Sequence, residues 1–203
     1  MSSAKKYIPQ QVEGEHNDVE YHVDFPSQGE AHRLFQLAKG KLKDVGNWRA
    51  LTGPIATDFA ITDSKGHEAY KLAEKGDIFY IDMPGPGSIA GSGVDWVRIE
   101  TLEETDDALG ESEFIIITVR PVANPKKPQT ATAHFFAHTS TNSFVLERQY
   151  NRVSASVHGR NETPNTEGNI IDKARNAIVG LSARHGLSGP HWQVFIENLL
   201  KAE

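Results

Sequence analysis

The chain has 203 residues, a 38% hydrophobic share and a formal net charge of −6. That length suits one domain with enough apolar material for a core. The acidic balance disfavours a nucleic-acid partner, because phosphates need a basic field. Cysteine is absent, which excludes disulfides, thiolate metal sites and a cysteine nucleophile, and fits a reducing, cytoplasmic compartment. No run approaches the roughly 18 apolar residues of a membrane helix.

Residues 1–18 are polar and without period, and are expected to form a flexible arm with no secretory leader. Residues 19–203 are expected to form one domain. Val19, Tyr21, Val23 and Phe25 alternate as a first strand, which Pro26 ends. Ser27 followed by Glu30 is a capping-box pattern. Behind it Ala31, Leu34, Phe35, Ala38, Leu42 and Val45 make a helical stripe, with one more turn expected over Asn47 to Leu51.

The period then changes to two. Strands are expected over Ile55 to Thr62, Glu68 to Leu72, Ile78 to Met83, Asp95 to Leu102 and Phe114 to Arg120. Three more are expected over Thr130 to His138, Phe144 to Gln149 and Arg152 to His158. Val97 and Ile99 share one face of their strand, with Arg98 and Glu100 on the other. Pro84 to Gly93 reads as a loop. The last stretch, Asn169 to Leu200, carries two amphipathic helical segments broken at Gly186 to Pro190, and their apolar faces must pack on the strands before them. Strands follow one another without crossover helices, so the class is α+β: a curved antiparallel sheet packed against C-terminal helices.

That order of elements resembles the helix-grip fold of the START and Bet v 1-like superfamily, also called SRPBCC or polyketide-cyclase-like. The phrases Pro84-Gly85-Pro86-Gly87, His134-Phe135-Phe136 and His158-Gly159-Arg160-Asn161-Glu162 are also similar to those of uncharacterised bacterial proteins. The resemblance implies an apolar cavity between sheet and C-terminal helix.

No motif in the chain names a reaction. The glycines of Pro84 to Gly93 lack the lysine and helix of a phosphate loop. His134 and His138 on a strand stand roughly 13 Å apart, too far for one ion, so neither a metal nor another cofactor is expected. No Gly-x-Ser-x-Gly elbow is present, although a spatial Ser-His-Asp triad stays open. The aromatic residues are the better signal, because they fall on most elements. Trp48, Phe59, Phe79, Trp96, Phe136 and Trp192 are the candidate apolar lining, with Arg98, His134 and Arg148 as candidate polar contacts. The functional expectation is binding of a hydrophobic or amphipathic small molecule in the cavity. The alternatives are a cyclase- or hydrolase-type enzyme on the same fold, or an interaction protein with a filled core.

Overall fold

The computed structural model describes residues 4–53, 57–83, 88–107, 110–129, 131–166 and 188–202. After a 3-10 turn at Ala4–Tyr7 the elements run β1 (Glu15–Asp24), α1 (Gln28–Lys43), a second 3-10 turn (Val45–Leu51), β2 (Asp58–Thr62), β3 (Ile78–Asp82), β4 (Asp95–Thr105), β5 (Ser112–Pro121), β6 (Thr141–Gln149), β7 (Arg152–Glu162) and α2 (Ser188–Leu199). The strands form one antiparallel sheet in the order β1-β7-β6-β5-β4-β3-β2. Both helices pack on the same face of it. This is the α+β helix-grip architecture that the element order implied.

Local chemistry explains the boundaries. Ser27 Oγ accepts from Glu30 N at 3.3 Å, the first half of the capping box, and donates to Glu30 Oε2 at 3.0 Å, which together cap the start of α1. The stripe Ala31, Leu34, Phe35, Ala38 and Leu42 is buried. The second 3-10 turn then drops Trp48 into the middle of the inner face, where its Nε1 donates to Leu42 O at 3.0 Å. Odd positions of β4 and β5 and even positions of β6 supply the inner face: Val97 and Ile99, Ile115 and Ile117, Phe144 and Leu146.

Two expected strands are absent. Residues 131–140 are irregular apart from a bridge between Phe136 and Pro164, and Glu68 makes a single bridge to Thr62. Their backbone groups bond outside a ladder instead: Ala133 N donates to Val122 O at 3.0 Å and Lys71 N to Ala69 O at 3.1 Å. The N-terminal expectation is also corrected. β1 begins at Glu15, four residues before Val19, and Ala4 is fully buried. Ala4, Tyr7 and Ile8 cover Phe114, Ile116 and Val145 on the outer face of the sheet, because that face carries apolar residues that water would otherwise meet. The first of the two expected C-terminal segments, residues 169–186, lies outside the described residues. In the second, Phe195, Ile196, Leu199 and Leu200 are buried and Trp192 is half-buried.

Candidate functional site

The inner face is largely filled by rings. Trp48 meets Phe59, Phe79, Phe144 and Phe195 with centroids 5.5, 5.8, 4.9 and 5.1 Å away. Trp192 closes the cluster from α2, edge-on to Phe144 at 5.0 Å. Beside these rings one small space remains, about 20 Å³, which is room for roughly one water. Trp48, Phe59, Phe79, Phe144 and Trp192 form its apolar wall. His134, Phe136 and the run Ser140-Thr141-Asn142 form its rim.

The rim is chemically unlike the wall. Ser140 Oγ donates to Asn161 O at 2.8 Å. Asn142 Oδ1, on the inner face, is buried and has no hydrogen-bond partner among the described residues, a condition that costs about 1–3 kcal/mol. Thr141 Oγ1 is likewise unpartnered among them, but strand alternation turns it to the outer face. His134 is buried, stacks on Phe135 at 4.4 Å and uses Nδ1 to accept from Phe136 N at 3.0 Å. That bond calls for the tautomer with the proton on Nε2.

The structure brings together six of the expected residues, Trp48, Phe59, Phe79, His134, Phe136 and Trp192, and keeps three away. Trp96 and Arg98 stand on the outer face by strand alternation. Trp96 is buried there under residues 88–93, with Nε1 donating to Gly91 O at 2.9 Å and its ring against Tyr80. Arg98 is exposed. Arg148 does face inward, but at the other end of the sheet beneath α1. It is fully buried in an ion pair with Glu113, and its guanidinium also donates to Tyr150 O, Asp107 O and Gly110 O at 3.1, 2.8 and 3.0 Å. His32 Nδ1 reaches the same Glu113 oxygen at 2.8 Å. Burial pushes the Glu113 carboxyl up, but hydrogen bonds from His32 and Arg148 outweigh it and hold the group below the ordinary glutamate range. With its donors occupied, Arg148 is a structural ion and not a ligand contact.

The rim residues Ser140, Thr141 and Asn142 read in the sequence only as a strand junction. Polar residues at the mouth of an aromatic-rich sheet were the available signal.

The outer face holds the order of a triad. His158 Nε2 lies 3.0 Å from Ser156 Oγ, and His158 Nδ1 lies 2.7 Å from Asp18 Oδ1. Arg160 shares that carboxylate at 2.6 Å. Burial raises the Asp18 carboxyl, but the bonds from Arg160 and His158 bring it below its ordinary value. β7 is paired on both sides, by β1 and β6, so its ladder takes up the backbone N–H groups that an oxyanion hole beside Ser156 would need. The group fastens β1 to β7.

Other features do not build a site. A wider groove, about 540 Å³, runs along the β2 edge and includes Asp58, Glu68, Tyr70 and Tyr80. Its carboxylates are engaged, Asp58 by Arg49 and Glu68 by the Tyr80 hydroxyl. Burial and the Glu68 bond push that phenol up to about 12. Among the described residues no three His, Asp or Glu side chains gather as a metal would require, and no helix is long and apolar enough to cross a membrane.

No protein-family model matches the sequence, and no curated protein matches it. Solved structures are similar in shape at low identity. The Zhui aromatase/cyclase from Streptomyces sp. R1128 is 11% identical with a TM-score of 0.46, over 92% of each chain. Ara h 8.0201 is 10% identical with a TM-score of 0.41, over 92% of this chain and 99% of the other. A truncated norcoclaurine synthase from Thalictrum flavum is 9% identical with a TM-score of 0.39, over 95% and 96%. Such likenesses say nothing of what this chain binds. Its fold rests on its own topology: among the described residues, an antiparallel seven-stranded sheet closed on one face by a C-terminal helix.

Proposed function

We propose that the protein binds a hydrophobic or amphipathic small molecule between the sheet and α2, with entry at the rim formed by residues 140–142 beside Trp192. The observation that carries this reading is the meeting of an aromatic wall with the buried oxygen of Asn142, which has no partner among the described residues. Pockets for small molecules have this composition, mostly apolar with a few polar groups that fix orientation. The free space holds a water and not an organic ligand, so uptake requires Trp192 to move. Trp192 is suited to that role. It is half-buried at the N-terminal end of α2 and held by ring contacts to Phe144 and Phe195. The gain on binding is on the order of 25 cal/mol per Å² of ligand surface buried. The cysteine-free composition supports a reducing compartment, the cytoplasm, for this activity.

The small free volume favours a second reading, a scaffold whose filled core only holds its surfaces in place. A thermal-shift series over alkyl and aryl alcohols separates the two, on the native protein and on Trp192→Ala. Ligand binding raises the melting temperature by mass action, and Trp192→Ala, which enlarges the space, strengthens the response. If no alcohol stabilises either protein, the binding reading is wrong and the scaffold reading stands.

A further inference from the structure

A second polar group stands beside the rim, placed there by an irregularity in β7. From Asn17↔Gly159 to Glu15↔Glu162, two steps along β1 face three along β7. Asn161 absorbs the extra residue with φ at 55°, and a bulge of this kind re-aims the side chain that follows. The N-terminal segment clamps it: Asn161 Oδ1 accepts from Val12 N at 2.7 Å and Glu13 N at 3.1 Å, and its Nδ2 donates to Gln10 O at 3.1 Å.

The consequence is where Glu162 goes. Its Oε1 lies 2.2 Å from the point a Cβ on Gly159 would occupy. Gly159 is two residues beyond Val157, a core residue, so that point is on the inner face. Asn142 Oδ1, one of the unpartnered oxygens, lies 3.3 Å from the same point. Glu162 is 7% exposed and accepts no hydrogen bond from any described residue. A buried carboxyl group and a buried amide oxygen thus share one spot next to the aromatic wall: below about pH 7 the protonated carboxyl can donate to the amide oxygen, and once it is ionised both are acceptors.

We propose that Glu162 and Asn142 form the head-group site of the cavity and select an amphipathic amine. This rests on the small-molecule reading above and names the ligand class. An ammonium brings several donors and a positive charge, so one head group satisfies the Asn142 oxygen and pairs with the Glu162 carboxylate. Its apolar body lies on Phe144 and Trp192, whose faces also attract a cation. An alcohol supplies one donor and no charge, and a carboxylate ligand meets repulsion. Three charged neighbours bear on Glu162. Burial, helped by Glu15 and Asp18, outweighs the pull of Arg160 and raises its carboxyl to about 7. A bound cation favours the ionised form.

The test is calorimetric titration at about pH 8, where Glu162 is ionised, with tryptamine, tryptophol and indole-3-propionate, which share one ring. Tryptamine is expected to bind at least about tenfold tighter than tryptophol, with the carboxylate weakest. Glu162→Gln brings tryptamine to within about threefold of tryptophol and leaves tryptophol unchanged. Gly159→Ala, which displaces the carboxylate without removing it, does the same and serves if Glu162→Gln does not fold. In the native protein the preference for the amine fades as the pH is lowered to about 5.5. Tryptophol binding the native protein as tightly as tryptamine overturns the head-group site and leaves the binding reading standing. Failure of all three probes overturns both.

Discussion

Phe195 of α2 stands edge-on to Trp48, with ring centroids 5.1 Å apart and planes at 72°. The contact joins the C-terminal helix to the 3-10 turn that follows α1, across the middle of the inner face. Both rings are fully buried, so the interior there has no slack. Phe195→Ala is expected to cost about 3–5 kcal/mol, the range for an aromatic ring lost from a packed core. Trp192, one turn earlier and half-buried, is expected to cost about 1–2 kcal/mol on truncation, since less of it leaves water. Denaturant midpoints measure both. Equal costs would show that the rim is as tightly packed as the centre, and would remove the route by which a ligand enters.

Much of this architecture is legible in the residues. The serine–glutamate capping box, the stripe of α1 and the period-two runs of β4 to β7 each state their own element. Thr130 to His138 misleads because His134-Phe135-Phe136 has a strand's composition, while the side chain of Asn165 bridges the carbonyls of Thr132 and His134 and holds the segment in a loop. Trp96 and Arg98 illustrate another limit. Alternation with Val97 and Ile99 already assigns them to the outer face, and their residue types alone suggested a ligand contact. Glu162 was hidden for a physical reason. Its direction depends on a bulge held by Asn161 and the N-terminal segment, and the only local sign is a glycine at position 159 inside a strand.

The Glu113–Arg148 pair is a structural element, and its loss has a sign. Glu113→Gln leaves the Arg148 guanidinium buried without its counter-ion, which is expected to cost about 3–5 kcal/mol at neutral pH. The Glu113 carboxyl is held below its ordinary value, so the stability it contributes is present above the unfolded glutamate range and is lost as the pH falls through the folded value. Urea midpoints between neutral and acid pH should therefore show a steeper acid loss in the native protein than in Glu113→Gln. Parallel curves would mean that the pair is exposed to solvent in solution.

Tyr7 rests on Phe114 of the outer face at a centroid distance of 5.8 Å, and Ala4 N donates to Glu147 Oε1 at 3.4 Å. These contacts dock the N-terminal turn on the sheet. Tyr7→Ala is expected to lower stability by about 1–2 kcal/mol and to raise hydrogen exchange at residues 4–8 and in β5. A neutral substitution with unchanged exchange would restore the loose arm that the polar sequence suggests.

Glu162 makes the opposite prediction to Glu113, in a separate pH window. Its ordinary value is 4.5, and burial, with Glu15 and Asp18 nearby, raises it to about 7 in the fold. Between those values the folded chain holds one more proton than the unfolded chain. The stability contributed by the neutral carboxyl is therefore fully present below 4.5, declines as the pH rises, and is gone once the folded group has ionised. The amount is on the order of 3 kcal/mol. Glu162→Gln keeps the shape and a neutral head, so its stability should vary less with pH across that window, and above neutrality it should be more stable than the native protein. Gly159→Ala, which moves the carboxyl toward solvent, should flatten the curve in the same way. Chemical denaturation at several pH values between about 4.5 and 8 measures the difference. If the native protein and Glu162→Gln keep the same slope throughout, the carboxyl is not confined beside Asn142, and the head-group site loses its anchor.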